Sequence, residues 1–297
     1  MIAESQYRNL GASGIKVSPL GTGTNKWWKG KNDDAVFETF RSLLDAGMNF
    51  FDTAEVYSFG KSESLLGYCI EKDPRPVTIG TKFAPYPNRL TRGSFNNALD
   101  ASLERLNMQK VELYFLHFPS SMPNIGKVMD WMAQAVDEGK IRAVGISNCS
   151  AEQMHQAAER LKKYGIPLAA NEVHYNLFDR KPEVNGVLDA CQELNVSLVA
   201  YRPLEGSRLA TSSKKKGKPT SKKEAILETL QTIAQQRGKS VGQVALNWML
   251  RRDEHIIPIP GSTHANHALD NAGTLTWQLS DDEFAAIDHV SSPTQAP

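Results

Sequence analysis

A single (β/α)8 barrel with a short N-terminal β-hairpin is the fold this sequence predicts. Three observations carry it. Eight short, β-rich apolar runs recur along the 297 residues. A segment of helical period follows nearly every run, which favours a parallel sheet. Several runs end on an isolated polar residue, as strands do at the mouth of such a barrel. One domain over residues 1–297 is expected, inside the size range of these barrels.

The elements follow in order. YRNLGASGIKVS reads as two short strands around a Gly-Ala-Ser-Gly turn, a hairpin closing the barrel bottom. The first run is SPLGTGT (18–24). In the helix 33–47, Val36, Phe40, Leu43 and Leu44 share one face and Gly47 supplies the stop. MNFFDT (48–53) and VTIGTK (77–82) are the second and third runs. The helix 91–106 carries Phe95, Leu99, Leu103 and Leu106 on one stripe. ELYFLH (112–117) precedes a helix near 124–138. After IRAVGIS (141–147), Ser150 and Gln153 form a capping box for a helix to about Tyr164. LAANEV (168–173) leads to a helix through Val187, Leu188 and Cys191. VSLVAY (196–201) is followed by helices near 222–237 and 240–252. HIIPIP (255–260) is the eighth run, and Ser280 with Glu283 caps a last helix. The GxG of GTGT does not make a Rossmann fingerprint, because no third glycine and no helix follow at the required spacing.

Composition excludes several classes. A net charge of +1 predicts no nucleic-acid and no membrane partner. The one local excess, KKKGKPTSKK at 214–223, reads as a solvated loop. Cys69, Cys149 and Cys191 are odd in number and lack a CxxC, against a disulfide framework or a zinc site. With no apolar stretch of signal-peptide length at the N-terminus, a cytoplasmic setting is expected.

The polar strand ends carry the chemistry. The runs end at Asp52, Lys82, His117, Ser147-Asn148 and Tyr201, and the sixth carries Asn171 and Glu172. Each alone has an ordinary reading: a turn-forming Asp, a solvated Lys, a half-buried His. Asp52, Lys82 and His117 on three consecutive strands converge on one volume, with Tyr57 in the loop between. Tyrosine, with a pKa of about 10, is a poor acid at neutral pH. An adjacent ammonium from Lys82 lowers that value. Asp52 holds Lys82 and compensates its burial. His117 hydrogen-bonds a substrate carbonyl. Such an array polarises a carbonyl and protonates its oxygen as hydride reaches carbon.

In these residues the chain resembles the aldo-keto reductase family, closest to its plant-chloroplast and bacterial branch. The match runs through LGTGT, FFDTAEVY, GKSESLLG, Thr81-Lys82, LHFP, VGISN (144–148), NEVHYN (171–176), YRPLEG (201–206) and IPIPGS (257–262). The resemblance implies NADPH as cofactor, with NADH possible, and Tyr57 as general acid beside Asp52, Lys82 and His117. It implies that Tyr201 lies against the nicotinamide and that Ser147, Asn148 and Glu172 meet the carboxamide. Gly23, Thr24, Asn25 and Asp52 would flank the cofactor. Arg202, Pro203, Leu204 and Gly206 would follow the pyrophosphate. Gly261, Ser262, Thr263, His267 and Asn271 would surround the adenosine phosphate.

Several positions depart from the family pattern. Glu172 replaces a glutamine and Arg202 a serine; a compensating Arg202–Glu172 pair is expected, with two unconnected changes as the alternative. Gly261 replaces a lysine, and His267 an arginine or glutamine. Asn25 and Phe118 replace tryptophans of the substrate pocket. Phe118, Trp27 and Trp28 are candidates for an aromatic pocket wall, with core or surface packing the alternative for the two tryptophans.

The expected activity is NAD(P)H-dependent reduction of aldehydes or ketones. A pyridoxal or sugar-aldehyde reductase is the alternative within the class. A cofactor-binding regulatory subunit, like potassium-channel β subunits, is the alternative outside it. A metal hydrolase is disfavoured because the seven histidines make no HxH or HExxH. If His267 meets the 2′-phosphate, the preference for NADPH weakens from about pH 6 to about pH 8. The ratio of kcat/KM for the two cofactors measures it; a flat ratio removes His267 from the contact.

Overall fold

The structure is a computed structural model, and it describes residues 6–27, 32–120, 122–210 and 221–293. Trp28 and most of the basic loop at 214–223 lie outside the described residues.

A hairpin of β1 (Arg8–Asn9) and β2 (Lys16–Val17) comes first, paired antiparallel with Arg8 opposite Val17. Eight parallel strands then form the barrel in chain order: β3 (Thr22–Gly23), β4 (Phe50–Asp52), β5 (Thr78–Phe83), β6 (Val111–Leu116), β7 (Ile141–Ser147), β8 (Leu168–His174), β9 (Ser197–Tyr201) and β10 (Ile256–Ile259). The first and last strands approach through Gly21 N to Pro258 O at 3.0 Å and Gly23 N to Pro260 O at 3.3 Å. A parallel bridge from Gly23 to Gly261 completes this edge.

The helices are α1 (Asp33–Asp45), α2 (Lys61–Lys72), α3 (Arg92–Leu106), α4 (Ile125–Asp137), α5 (Ala151–Lys162), α6 (Val187–Leu194), α7 (Lys222–Arg237), α8 (Val241–Arg252), α9 (Ala265–Gly273) and α10 (Asp281–Ser291). The capping boxes expected at Ser150–Gln153 and Ser280–Glu283 are both formed. Gly47 sits at φ 88° just past α1, where only glycine avoids steric cost. Two helices were not legible, α2 and α9. Neither has a side-chain N-cap hydrogen bond: α2 starts from Gly60 in the left-handed region and α9 from His264. The usual start signal is therefore missing.

Two apolar layers result. The outer one lies between barrel and helices and includes Phe40, Phe51, Leu66, Phe95, Tyr114, Met132 and Trp248. The inner one fills the barrel with Phe50, Leu113, Phe115, Ala143, Ala170, Val199 and Ile257. Leu10, Ile15 and Val17 of the hairpin join that inner cluster, and Gly11 N donates to Ser197 Oγ at the start of β9. The hairpin thus plugs the N-terminal end of the barrel.

Side chains on a strand alternate between faces. The inward series Phe50–Asp52, Gly80–Lys82, Leu113–Phe115–His117 and Ala170–Glu172 therefore passes from apolar floor to polar mouth. Gly145 takes part by having no side chain: a Cβ there would stand 2.4 Å from the Phe115 ring. Phe115 is fully buried. Gly145→Ala is expected to destabilise the protein by about 1–3 kcal/mol through overpacking, measured by chemical denaturation.

Candidate active site

Lys82, at the end of β5, is fully buried. Its ammonium donates to Asp52 Oδ1, to the Thr53 carbonyl at 2.8 Å and to the Tyr57 hydroxyl at 3.3 Å. Asp52 is 2% exposed. Burial alone would push Lys82 down, but Asp52, then Glu172 and Tyr57, reverse this and hold its pKa above the ordinary value. Lys82 is therefore an ammonium. The link proposed between Asp52 and Tyr57 through Lys82 is present in the geometry.

The expected lowering of the Tyr57 pKa is not the net outcome. Burial raises it, and Lys82 opposes that without overcoming it. Tyr57 is thus held as a neutral phenol, and the ammonium beside it favours the phenolate once a proton leaves. His117 lies edge-on to Tyr57, with ring centroids 6.0 Å apart. Burial, with a contribution from Lys82, lowers its pKa to about 3. It is a neutral imidazole, and its buried Nδ1 has no hydrogen-bond partner among the described residues.

The loop carrying Tyr57 is pinned at both ends. Glu55 accepts from Ala84 N at 2.8 Å and from Arg89 at 2.6 Å. Glu63, on α2, accepts from Thr81 Oγ1 at 2.5 Å and from Arg105 Nε at 2.7 Å. Between them Ser58, Phe59 and Gly60 all have positive φ. A side chain at Gly60 would strike the Arg105 guanidinium at 2.5 Å. Sequence reasoning did not single out Glu55, Glu63 or Arg105. The available signal was acidic residues flanking Tyr57 in a segment that buries them.

A second group gathers on the other side of the mouth. Ser147 Oγ and Asn148 N donate to the Glu172 carbonyl at 2.9 and 2.8 Å. The Tyr201 hydroxyl donates to Asn148 Oδ1 at 3.0 Å. Asn148 Nδ2 donates to the His117 carbonyl at 3.3 Å, which ties this group to the first. After Tyr201 the chain turns through positive φ at Arg202, Glu205, Gly206 and Ser207. Asn176 holds the turn by donating to Arg202 O and Glu205 Oε2, both at 3.1 Å, and His174 Nε2 lies 3.0 Å from Glu205. Thr24 is committed to structure: its hydroxyl donates to Asp52 O and lies 2.7 Å from Ser62 Oγ. Asn25 beside it is exposed.

Two expectations are corrected. Glu172 does not pair with Arg202. Its Oε2 lies 3.2 Å from Lys82, while Arg202 is exposed, on a turn held at its carbonyl by Asn176. Trp27 is not a pocket wall: it is 1% exposed, packs edge-on to Phe51 in the outer layer, and donates from Nε1 to Ser262 O. Phe118 packs beside His117, and Tyr86 stands edge-on to Phe118 at 6.1 Å.

Beyond β10, Ser262 is buried and its Oγ accepts from Asn271 Nδ2 at 3.0 Å. His264 and His267 stand T-shaped at the first turn of α9, with centroids 5.4 Å apart. Thr263 lies between Ser262 and that turn, and Gly261 is the exposed bridge residue. A helix N-terminus with exposed amides suits an anionic group. Clefts of about 500 and 310 Å³ lie elsewhere, one at the barrel floor by Arg8 and Trp277, the other by Phe178 and Lys222, and neither touches this site.

Comparison with known proteins decides the family. The model of the aldo/keto reductase family matches residues 19–292. The chain belongs to this family. It is 33% identical to the chloroplastic pyridoxal reductase of Arabidopsis thaliana, covering 93% of this chain and 84% of that one. It is 32% identical to the NADP(+) aldo-keto reductase yakc of Schizosaccharomyces pombe, covering 92% and 88%. Among solved structures, an aldo/keto reductase from Klebsiella pneumoniae in complex with NADP and acetate superposes with a TM-score of 0.83 at 28% identity, covering 97% and 96%. Among the described residues no helix is long and apolar enough to cross a membrane.

The His117 shift makes stability depend on acid. Its folded value, about 3, lies below the unfolded imidazole value of about 6.5. The unfolded chain therefore binds the proton first, and stability is lost as pH falls through that window. His117→Gln is expected to flatten this part of the profile of unfolding midpoint against pH.

Proposed function

We propose that this protein reduces an aldehyde or ketone to the alcohol with NADPH, with Tyr57 as the proton donor. The observation that carries the reading is the buried Lys82 ammonium, with hydrogens on Asp52, Thr53 O and Tyr57 at once. A neutral phenol beside a fixed ammonium delivers a proton to an oxygen that is becoming negative. Neutral His117 donates a hydrogen bond to that oxygen without competing as an acid. The phenolate left on Tyr57 is stabilised by Lys82 until it is reprotonated. NADPH, when bound, supplies the hydride taken up by the carbonyl carbon.

The residues fit that cofactor. The half-buried Tyr201 ring provides a flat surface for the nicotinamide, next to the amide and hydroxyl groups of Asn148 and Ser147. The glycine-containing turn 202–206 suits the pyrophosphate. Ser262, Thr263, His267 and Asn271 around the start of α9 suit the adenosine phosphate. Gly23 lies at the strand edge between Asp52 and Gly261. The NADP complex of the Klebsiella relative and the yakc relative support the choice of cofactor.

Phe118 and Tyr86 make an aromatic pair beside His117. They suit an aromatic or apolar carbonyl compound. Pyridoxal is a specific candidate, supported by the 33% identity to the chloroplastic enzyme. The complete set of Asp52, Tyr57, Lys82 and His117 supports catalysis over a purely regulatory role.

A panel of aromatic, aliphatic and sugar aldehydes and pyridoxal, assayed with NADPH by loss of reduced-nicotinamide absorbance, tests the reading. Tyr57→Phe is expected to lower kcat on the order of 10²–10⁴-fold while NADPH still binds. Cofactor binding without turnover of any compound would favour the regulatory subunit.

A further inference from the structure

The charges around Lys82 do not balance if every acid is ionised. Its ammonium has three hydrogens, and Asp52, Thr53 O and Tyr57 take them. Glu172 Oε2 lies 3.2 Å from the same nitrogen, yet it has no hydrogen-bond partner among the described residues. Glu172 is 2% exposed, so water does not solvate it. Asp52 Oδ1 and Glu172 Oε2 both stand against the one Lys82 nitrogen, so the two carboxyls face the same small buried volume. Two ionised carboxylates cannot donate to each other, and together they would leave a net negative charge beside one buried cation. One proton between them removes both problems.

We propose that Glu172 keeps its proton at neutral pH and donates it to Asp52, so that the two carboxyls carry one negative charge against Lys82. The surrounding groups agree. Asp52 reaches the pair from β4, Lys82 from β5, His117 from just beyond β6, Tyr201 from β9 and Tyr57 from its loop. His117 is neutral, and burial raises the pKa of both tyrosines, so they too are neutral. Arg202 is exposed. Lys82 is thus the buried cation that faces the pair. Burial and the Asp52 charge hold the Glu172 carboxyl well above the usual range, against the opposing pull of Lys82.

Glu172 then acts as a positioning residue. Ionised, it would compete with Tyr57 for the third ammonium hydrogen. Neutral, it leaves that hydrogen on Tyr57. It also presents an O–H donor and a C=O acceptor on one group, as a glutamine amide does. This consequence rests on the reading of Tyr57 as proton donor; the protonation itself does not.

The test uses the cofactor-free protein. Infrared difference spectra at neutral pH are expected to show the carbonyl stretch of a buried protonated carboxylic acid. Glu172→Gln removes that band. Asp52→Asn removes it too, although Glu172 is still present, because Glu172 then becomes the counter-ion of Lys82 and ionises. A folded-state pKa above the unfolded one also gives stability that is lost as pH rises. Unfolding midpoints of the wild type should therefore fall more steeply with rising pH than those of Glu172→Gln, by one proton. Absence of the band in the wild type, or its persistence in either variant, overturns the proposal. If the band behaves as expected but the wild type reduces no carbonyl compound, proton sharing stands and the reductase reading fails.

Discussion

The structure of the site depends on one buried ammonium. Lys82 has no access to water, and burying a lone cation in this way is prohibitive. The fold accepts it because Asp52 stands on the adjacent strand, with Thr53 and Tyr57 following in the next loop. Desolvation of such a pair offsets much of its attraction. The pair is therefore poorly explained as a stabilising device and well explained as a fixed charge beside a phenol.

Much of the remaining architecture keeps that charge in place. The barrel register sets Asp52 opposite Gly80 and Lys82 opposite Phe115, so the lysine stands one layer higher than the aspartate. Phe115 lies beneath it, with the ammonium 5.6 Å from the ring centroid. Glu55 and Glu63 anchor both ends of the Tyr57 loop, through Arg89 and Arg105. The Tyr57 position is thus set by ionic contacts outside the barrel lumen and by Lys82 inside it. On the opposite side, the Glu172 backbone holds Ser147 and Asn148 while its side chain reaches Lys82. One residue thus links the Lys82 cluster to the cluster of Ser147, Asn148 and Tyr201.

The departures from the family pattern take different meanings once placed. Glu172 and Arg202 looked like a compensating pair because their strands are neighbours. The compensation comes instead from Lys82 and Asp52, across the barrel mouth. Trp27 looked available for the pocket because it closely follows Asn25, which stands where the family pattern has a pocket tryptophan. Its indole fills the outer layer, and Phe118 with Tyr86 forms the aromatic contact near His117. In both cases the expected topology suggested a neighbour, and packing chose another.

The sequence by itself determined the strand order, eight of the ten α-helices among the described residues and the identity of the polar strand ends. Those features are local: an apolar β-rich run, a helical stripe, a Ser capping box. It also showed that Asp52, Lys82 and His117 fall on consecutive strands, which is enough to bring them together in any parallel barrel. Helices α2 and α9 carry no capping side chain at their starts; α6 lacks one too and was legible only through Val187, Leu188 and Cys191. The protonation of the site was hidden for a different reason. Whether Tyr57 is raised or lowered, and whether Glu172 is charged, depends on burial and on how many hydrogens Lys82 has to give. Those quantities exist only when five segments distant in sequence share one dry volume, so only the tertiary structure decides them.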